Sequence, residues 1–166
     1  MRNLPKIFLG FLVFTSCLPE RGPVRFHESF NEDWKFILAD SVDFALTGWD
    51  DRSWRSLGLP HDWSIEGTFS KDHPAGTGGG ALPGGIGWYR KQFHVPEADT
   101  ARKVFITFDG IYQNSEVFIN GQLLGKRPNG YISFRYDLTP WLHFGEDNVI
   151  AVRVDNGDQP NSRWYS

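Results

Sequence analysis

The sequence predicts an all-β, two-sheet jelly-roll sandwich with little helix, and three observations predict it. First, Asn120-Gly121 separates Val117-Phe118-Ile119 from Gln122-Leu123-Leu124. Both central positions of a two-residue type I′ hairpin need φ > 0, and this dipeptide is the strongest short signal for one. Second, short apolar runs alternate with polar positions along most of the chain, and no segment sustains a 3.6-residue period. Third, eighteen Gly and ten Pro punctuate a chain with seven Trp and fourteen Phe, a composition that favours pleated strands and turns over helices. At 166 residues, 40% of them hydrophobic, the chain can bury one sizeable core and little more.

Residues 1–17 are of a different kind. Arg2 and Lys6 precede the apolar run Ile7 to Phe14, and Thr15-Ser16 lead into Cys17, the only cysteine. A basic start, a short apolar core and small residues before a cut site describe an export signal. The run is too short to span a bilayer. Small residues directly before Cys resemble a bacterial lipoprotein cleavage site, with Cys17 the lipidated first residue of the mature chain. The expected location is then the periplasm or the outer membrane, with membrane contact only through the lipid. An ordinary signal peptide with an incidental Cys is the alternative. Removing residues 1–16 takes away two positive charges and moves the formal net charge from −3 to −5. One cysteine forms no internal disulfide, so packing alone holds the fold.

Residues 18–25 form a polar tether, and residues 26–166 the folded domain. Arg25-Phe26-His27 and Trp34 to Leu38 are the expected first strands. Asp40 to Ser53 is polar, with a single helical turn expected through Gly48 to Asp51. Trp54 to Leu57 alternates as a strand, and Gly67 to Gly85 is a long glycine-rich loop, of a length usually functional or packed on a neighbour. From Trp88 to Val95, Trp88, Arg90, Gln92 and His94 share one face, and Tyr89, Lys91, Phe93 and Val95 the other. Lys103 to Phe108, Ser115 to Ile119, Gln122 to Gly125, Ile132 to Tyr136 and Asn148 to Val154 complete eight or nine strands. Asp137 to Leu142 forms a short helical turn capped near Asp137 or Thr139. Asn129-Gly130 repeats the turn signal of Asn120-Gly121.

Several chemistries are missing. No Lys/Arg stripe is present, so nucleic acid is not an expected partner. Five His and one Cys fall into no zinc spacing, and no metal is expected. No nucleophile elbow and no phosphate-binding loop occurs, and no cofactor is expected. Glu20, Glu28, Glu32, Glu66, Glu97, Glu116 and Glu146 show no pairing logic, so no catalytic residue is assigned in this chain. His61-Asp62, beside Trp63, is a structural hydrogen-bonding corner rather than a catalytic dyad.

Four ordered motifs carry a resemblance: LPHDWS from Leu59, GGIGWYRKQF from Gly84, FDGIYQNSEVFINGQLLG from Phe108 and NSRWYS from Asn161. Together they resemble the N-terminal sugar-binding domain of family 2 glycoside hydrolases, especially bacterial β-galactosidases, from about Phe26 to Ser166. The resemblance implies a jelly roll followed by immunoglobulin-like domains and a TIM barrel in the full-length protein. It implies a barrel with two glutamates that cleaves β-linked oligosaccharides or glycosides with retention, which needs carboxyls about 5–5.5 Å apart. This chain has no barrel and is expected to be the N-terminal part of such an enzyme.

In the family, the loop at Asn161, Ser162, Arg163 and Trp164 leans toward the barrel and helps wall the first sugar subsite. Some members place an acidic residue where this chain has Ser162. The polar side chains of that stretch can donate and accept in several directions, as sugar hydroxyls require. A plain domain-interface loop is the competing expectation for it. For the chain as a whole, the alternatives are a stand-alone carbohydrate-binding module of a surface protein and a structural sandwich of an adhesion protein.

Overall fold

The computed structural model describes residues 25–73, 76 and 80–157. Cys17, the signal and most of the tether lie outside them, as do Asn161, Ser162, Arg163 and Trp164. Eight strands occur among the described residues: β1 (Trp34–Leu38), β2 (Arg55–Leu57), β3 (Ile86–His94), β4 (Phe105–Phe108), β5 (Ser115–Ile119), β6 (Gln122–Arg127), β7 (Phe134–Asp137) and β8 (Asp147–Asp155). Only single 3-10 turns accompany them. Six strands form one sheet in the order β2-β1-β3-β8-β5-β6, and β4 pairs with β7 in a second. All pairs are antiparallel.

The main core lies between the sheets. Trp34, Phe36, Tyr89, Val117, Ile119, Ile150, Val152 and Val154 from the large sheet meet Ile106 and Phe134 from the small one. The opposite face of the large sheet is also covered. There Trp88 and Ala151 pack under Phe44, Ala45 and Trp54 from the 40–54 segment. β3 is therefore buried on both faces through its middle, and the alternation expected for Trp88 to Val95 sorts its side chains correctly between two cores. Arg90, on the Trp88 face, is 1% exposed. Its Nε donates to Asp51 Oδ2 at 2.9 Å, and its guanidinium also donates to the carbonyls of Phe44 and Leu46.

The Asn120-Gly121 hairpin forms as the sequence requires. Both residues have positive φ, 48° and 81°, and Ile119 pairs with Gln122. A register shift beside Val117 and Phe118 leaves Leu124 as an extra residue on β6, which bends the edge strand. Asn129-Gly130 is a different turn. Asn129 Oδ1 accepts from the Tyr131 amide at 2.8 Å. The glycine is needed for space, since a Cβ at 130 would lie 2.4 Å from Tyr112 Cδ2.

Two expected elements are absent or displaced. Phe26 is in no strand and lies under the Arg102 guanidinium instead, 5.1 Å from its ring centroid. The helical turn expected at Gly48 to Asp51 is found at Val42–Ala45. Ser41 caps it by accepting from the Asp43 amide, and Phe44 and Ala45 are the apolar residues that close the outer core. The turn after β7 occurs as expected at Thr139–Trp141. Asp137 Oδ1 accepts from the Thr139 amide, and Thr139 Oγ1 accepts from the Val104 amide.

Candidate functional site

At one end of the sandwich β3 begins and β8 finishes, and four connecting segments converge there. Asn156 N donates to Gly85 O at 3.0 Å, and Asp155 N to Gln113 O at 3.0 Å. Asn156 Nδ2 donates to Ser64 Oγ at 3.0 Å, while Asp62 Oδ1 accepts from the Ser64 amide at 2.9 Å. Gly84 is required by close approach: a Cβ there would lie 2.7 Å from Asn156 O. The last described residues, Asp155 to Gly157, are thus clamped at this end of the sheet. The candidate residues Asn161, Ser162, Arg163 and Trp164 lie beyond the described part of the chain.

Beside this clamp, β3 and the 59–67 segment build a mixed polar cluster. His61 Nδ1 is 2.8 Å from the Tyr89 hydroxyl, and its side chain is 7% exposed. Glu66 lies 3.3 Å from His61 Nε2. Arg55 donates to both Glu66 oxygens, at 2.6 and 2.8 Å, and holds the carboxyl below its ordinary range. Burial, reinforced by the Asp62 and Glu66 carboxylates, pushes the Tyr89 phenol far up. The phenol therefore stays neutral and serves as a hydrogen-bonding group.

His61 and Asp62 do not act on one another: the first partners Tyr89 and the second a backbone amide. This is the structural corner read from the sequence. A general acid for glycoside cleavage needs a carboxyl with a raised pKa, whereas Glu66 is lowered by a surface ion pair. Among the described residues, no group of three or more His, Cys, Asp or Glu is placed to hold a metal ion, and no helix is long and apolar enough to cross a membrane. The Gly67 to Gly85 loop folds on itself where it is described. Ser70 N donates to Ala81 O, and Pro83 packs against Gly67, where a Cβ would meet it at 2.3 Å.

One polar network has no local signal in the sequence. Asn148 is 0% exposed. Its side chain accepts from the His143 amide and Asn120 Nδ2 and donates to the carbonyls of His143 and Glu146, at 2.8–3.1 Å. Asn120 Nδ2 also donates to Trp141 O, and its Oδ1 accepts from the Val149 amide. Asn120 reads in the sequence as a turn former, and nothing local reveals that its amide reaches a residue 28 positions away.

Comparison with known proteins gives one answer at several levels. Residues 87–162 match the glycosyl hydrolase 2 galactose-binding domain-like family model. A β-galactosidase of Bacteroides ovatus is 63% identical over 142 residues, 86% of this chain and 17% of the relative. A putative β-glucuronidase of Formosa agariphila is 51% identical over 93% of this chain and 15% of its own length. The crystal structure of a β-glycosidase from Bacteroides vulgatus superposes with a TM-score of 0.76 at 50% identity, over 82% of this chain and 18% of that one. The chain spans less than a fifth of each. All three align with the sandwich described above, and the chain belongs to the family 2 glycoside hydrolases as their N-terminal galactose-binding-like domain.

Proposed function

We propose that the full-length protein is an exported retaining β-glycosidase that removes terminal β-galactosides, and that this domain braces its catalytic barrel. The observation that carries the galactoside reading is the identity to the Bacteroides ovatus β-galactosidase, which exceeds that to the Formosa agariphila putative β-glucuronidase. The second of these relatives favours a glucuronide as the alternative substrate. The catalytic glutamates are assigned to the barrel: Arg55 holds Glu66 low, the opposite of what a general acid needs, and Asp40, Glu116 and Asp155 serve as ion-pair partners of Arg153. We also place Asn161, Ser162, Arg163 and Trp164 at the first sugar subsite, a reading supported by the family resemblance; the clamp at Gly84, Ser64 and Asn156 orders the chain up to Gly157.

Purified full-length protein should hydrolyse p-nitrophenyl β-galactoside with a kcat/KM at least tenfold above that for the β-glucuronide. The reverse order would replace the galactoside reading with the alternative. Residues 18–166 alone should turn over neither substrate, and turnover by them would remove the barrel assignment. Cys17 is proposed as the lipidated residue of a periplasmic or outer-membrane lipoprotein. Cys17→Ser should release the protein from the membrane fraction or block its processing, and a soluble wild-type product cut elsewhere would refute lipidation.

A further inference from the structure

Asparagine is followed by glycine at Asn120-Gly121, Asn129-Gly130 and Asn156-Gly157. Asparagine is a chemically labile residue, and a glycine after it leaves the main-chain nitrogen unshielded by any Cβ. In the reaction that follows, the glycine amide gives its proton to hydroxide and its nitrogen bonds to the asparagine Cγ. The Cγ–Nδ2 bond then breaks, and the side-chain nitrogen takes a proton from water and leaves as ammonia. A second water opens the five-membered imide to an aspartyl or isoaspartyl residue.

The three dipeptides are alike in sequence, and hydrogen bonds separate them. At Asn120 the whole side-chain amide is engaged. Its Nδ2 donates to Trp141 O and Asn148 Oδ1, and its Oδ1 accepts from the Val149 amide, at 2.8–2.9 Å. Cγ cannot turn toward the Gly121 nitrogen without breaking these bonds. At Asn156 the leaving nitrogen is held by Ser64 Oγ at 3.0 Å, and the Gly157 amide hydrogen by Asp155 Oδ1 at 3.0 Å. Asn156 Oδ1 is buried without a donor, so the negative charge that builds on it as Cγ becomes tetrahedral has no partner.

Asn129 is the reverse case. The Tyr131 amide donates to its Oδ1 at 2.8 Å. That oxygen is where the charge develops, and a donor already in place lowers the barrier. Among the described residues, Asn129 Nδ2 and the Gly130 amide donate to no acceptor, so the leaving and attacking nitrogens are both untied. The Tyr131 donor and the bonds that lock the other two sites lie inside this domain. The ranking therefore does not depend on what packs against its surface.

We propose that Asn129 is a site of spontaneous deamidation in the folded protein, with the Tyr131 amide as its oxyanion donor, and that Asn120 and Asn156 are protected. The isoaspartyl product adds a methylene to the main chain beside Gly130. Packing is close there, since a Cβ on Gly130 would lie 2.8 Å from the Tyr112 Cα, so conversion changes the fit between this turn and the Tyr112 segment. The site is independent of which glycoside the full-length enzyme cleaves.

The test is incubation of the full-length protein in warm, mildly alkaline buffer, followed by digestion and mass spectrometry of the three Asn-Gly peptides. A parallel sample is held unfolded in guanidinium. In the folded protein Asn129 should convert at least about tenfold faster than Asn120 or Asn156, a barrier difference of about 1.4 kcal/mol. In the unfolded sample the three should convert at similar rates. Tyr131→Pro removes the donating amide and should slow conversion at Asn129 about tenfold, with Asn120 and Asn156 unchanged. Three results would each overturn the assignment: Asn129 no faster than the other two in the folded protein, a ranking that persists in the unfolded chain, or Tyr131→Pro converting as fast as wild type. Should Tyr131→Pro not fold, the comparison of folded with unfolded wild type decides by itself.

Discussion

Arg90→Met should be among the most damaging single changes in the domain, and the structure sets its size. The guanidinium is 2% exposed and faces Asp51, whose side chain is 26% exposed. It also serves the carbonyls of Phe44 and Leu46, so it ties the outer-core segment to the central strand. Methionine fills much of the volume but leaves a carboxylate and two carbonyls without their donor. Each buried acceptor left unpaired costs about 1–3 kcal/mol. Breaking a buried charge pair costs about 3–5 kcal/mol. Asp51 can rehydrate partly through its exposed edge, which argues for the lower end, about 3–4 kcal/mol in total. Asp51→Asn keeps an acceptor and both carbonyl bonds but removes the counter-charge of the buried guanidinium, so it should cost about 3 kcal/mol as well.

Melting curves of a multidomain protein do not isolate one domain, so the assay is native-state hydrogen exchange read by mass spectrometry. The peptide spanning Trp88 to Phe93 should exchange about a hundred- to a thousandfold faster in Arg90→Met, at about 1.4 kcal/mol per decade, and about a hundredfold faster in Asp51→Asn. A change below about fivefold for Arg90→Met would mean that the buried guanidinium is dispensable and that apolar packing alone holds the outer layer.

Two glycines separate strain from space. Gly121→Val should cost about 1–2 kcal/mol, because its φ is 81° although the nearest atom to an added Cβ is 3.8 Å away; Gly121→Asn should cost much less. Gly130→Ala should fail for steric reasons, its Cβ meeting Tyr112 Cδ2 at 2.4 Å and the Tyr112 Cα at 2.8 Å, and Tyr112→Ala should not rescue it, since the backbone contact remains. Equal stability of Gly121→Val and wild type by hydrogen exchange of β5 and β6 would refute the turn argument. Acid should weaken the domain. The Asp40, Glu66 and Asp137 carboxyls are held low by Arg153, Arg55 and Thr139 respectively. Stability from a lowered carboxyl is complete above its unfolded pKa of about 4 and disappears as pH falls through the folded value. Each pair is solvent-screened, so the loss should be gradual and smaller in Asp40→Asn; stability that rises from pH 5 to pH 2 would contradict the sign. Arg163→Ala and Trp164→Ala should lower kcat/KM of the full-length enzyme by about tenfold to a hundredfold if these residues serve the sugar subsite. Unchanged kinetics with reduced thermal stability would make that segment an interface.

The sequence by itself determined the fold class, most strand positions and the family. These follow from local rules: alternation places Trp88 and Tyr89 on opposite faces, Asn120-Gly121 closes one hairpin because few residues accept positive φ twice, and four ordered motifs specify the relationship. It also marked His61-Asp62 as structural, a polar pair ending a strand beside Trp63. Tertiary structure decided what depends on pairs distant in the chain. Arg90 reads as an outward polar position of an alternating strand, and only the return of Phe44 and Asp51 across that face buries it. The helical turn lies at Val42–Ala45 rather than Gly48 to Asp51 because Phe44 and Ala45 find a core to cover, which outweighs the weak local preference of either site. Asn120 and Asn148 are polar residues of no evident role until the hairpin tip meets the start of β8. A buried amide is worth its desolvation only when several partners converge on it, and that convergence is a property of the folded chain.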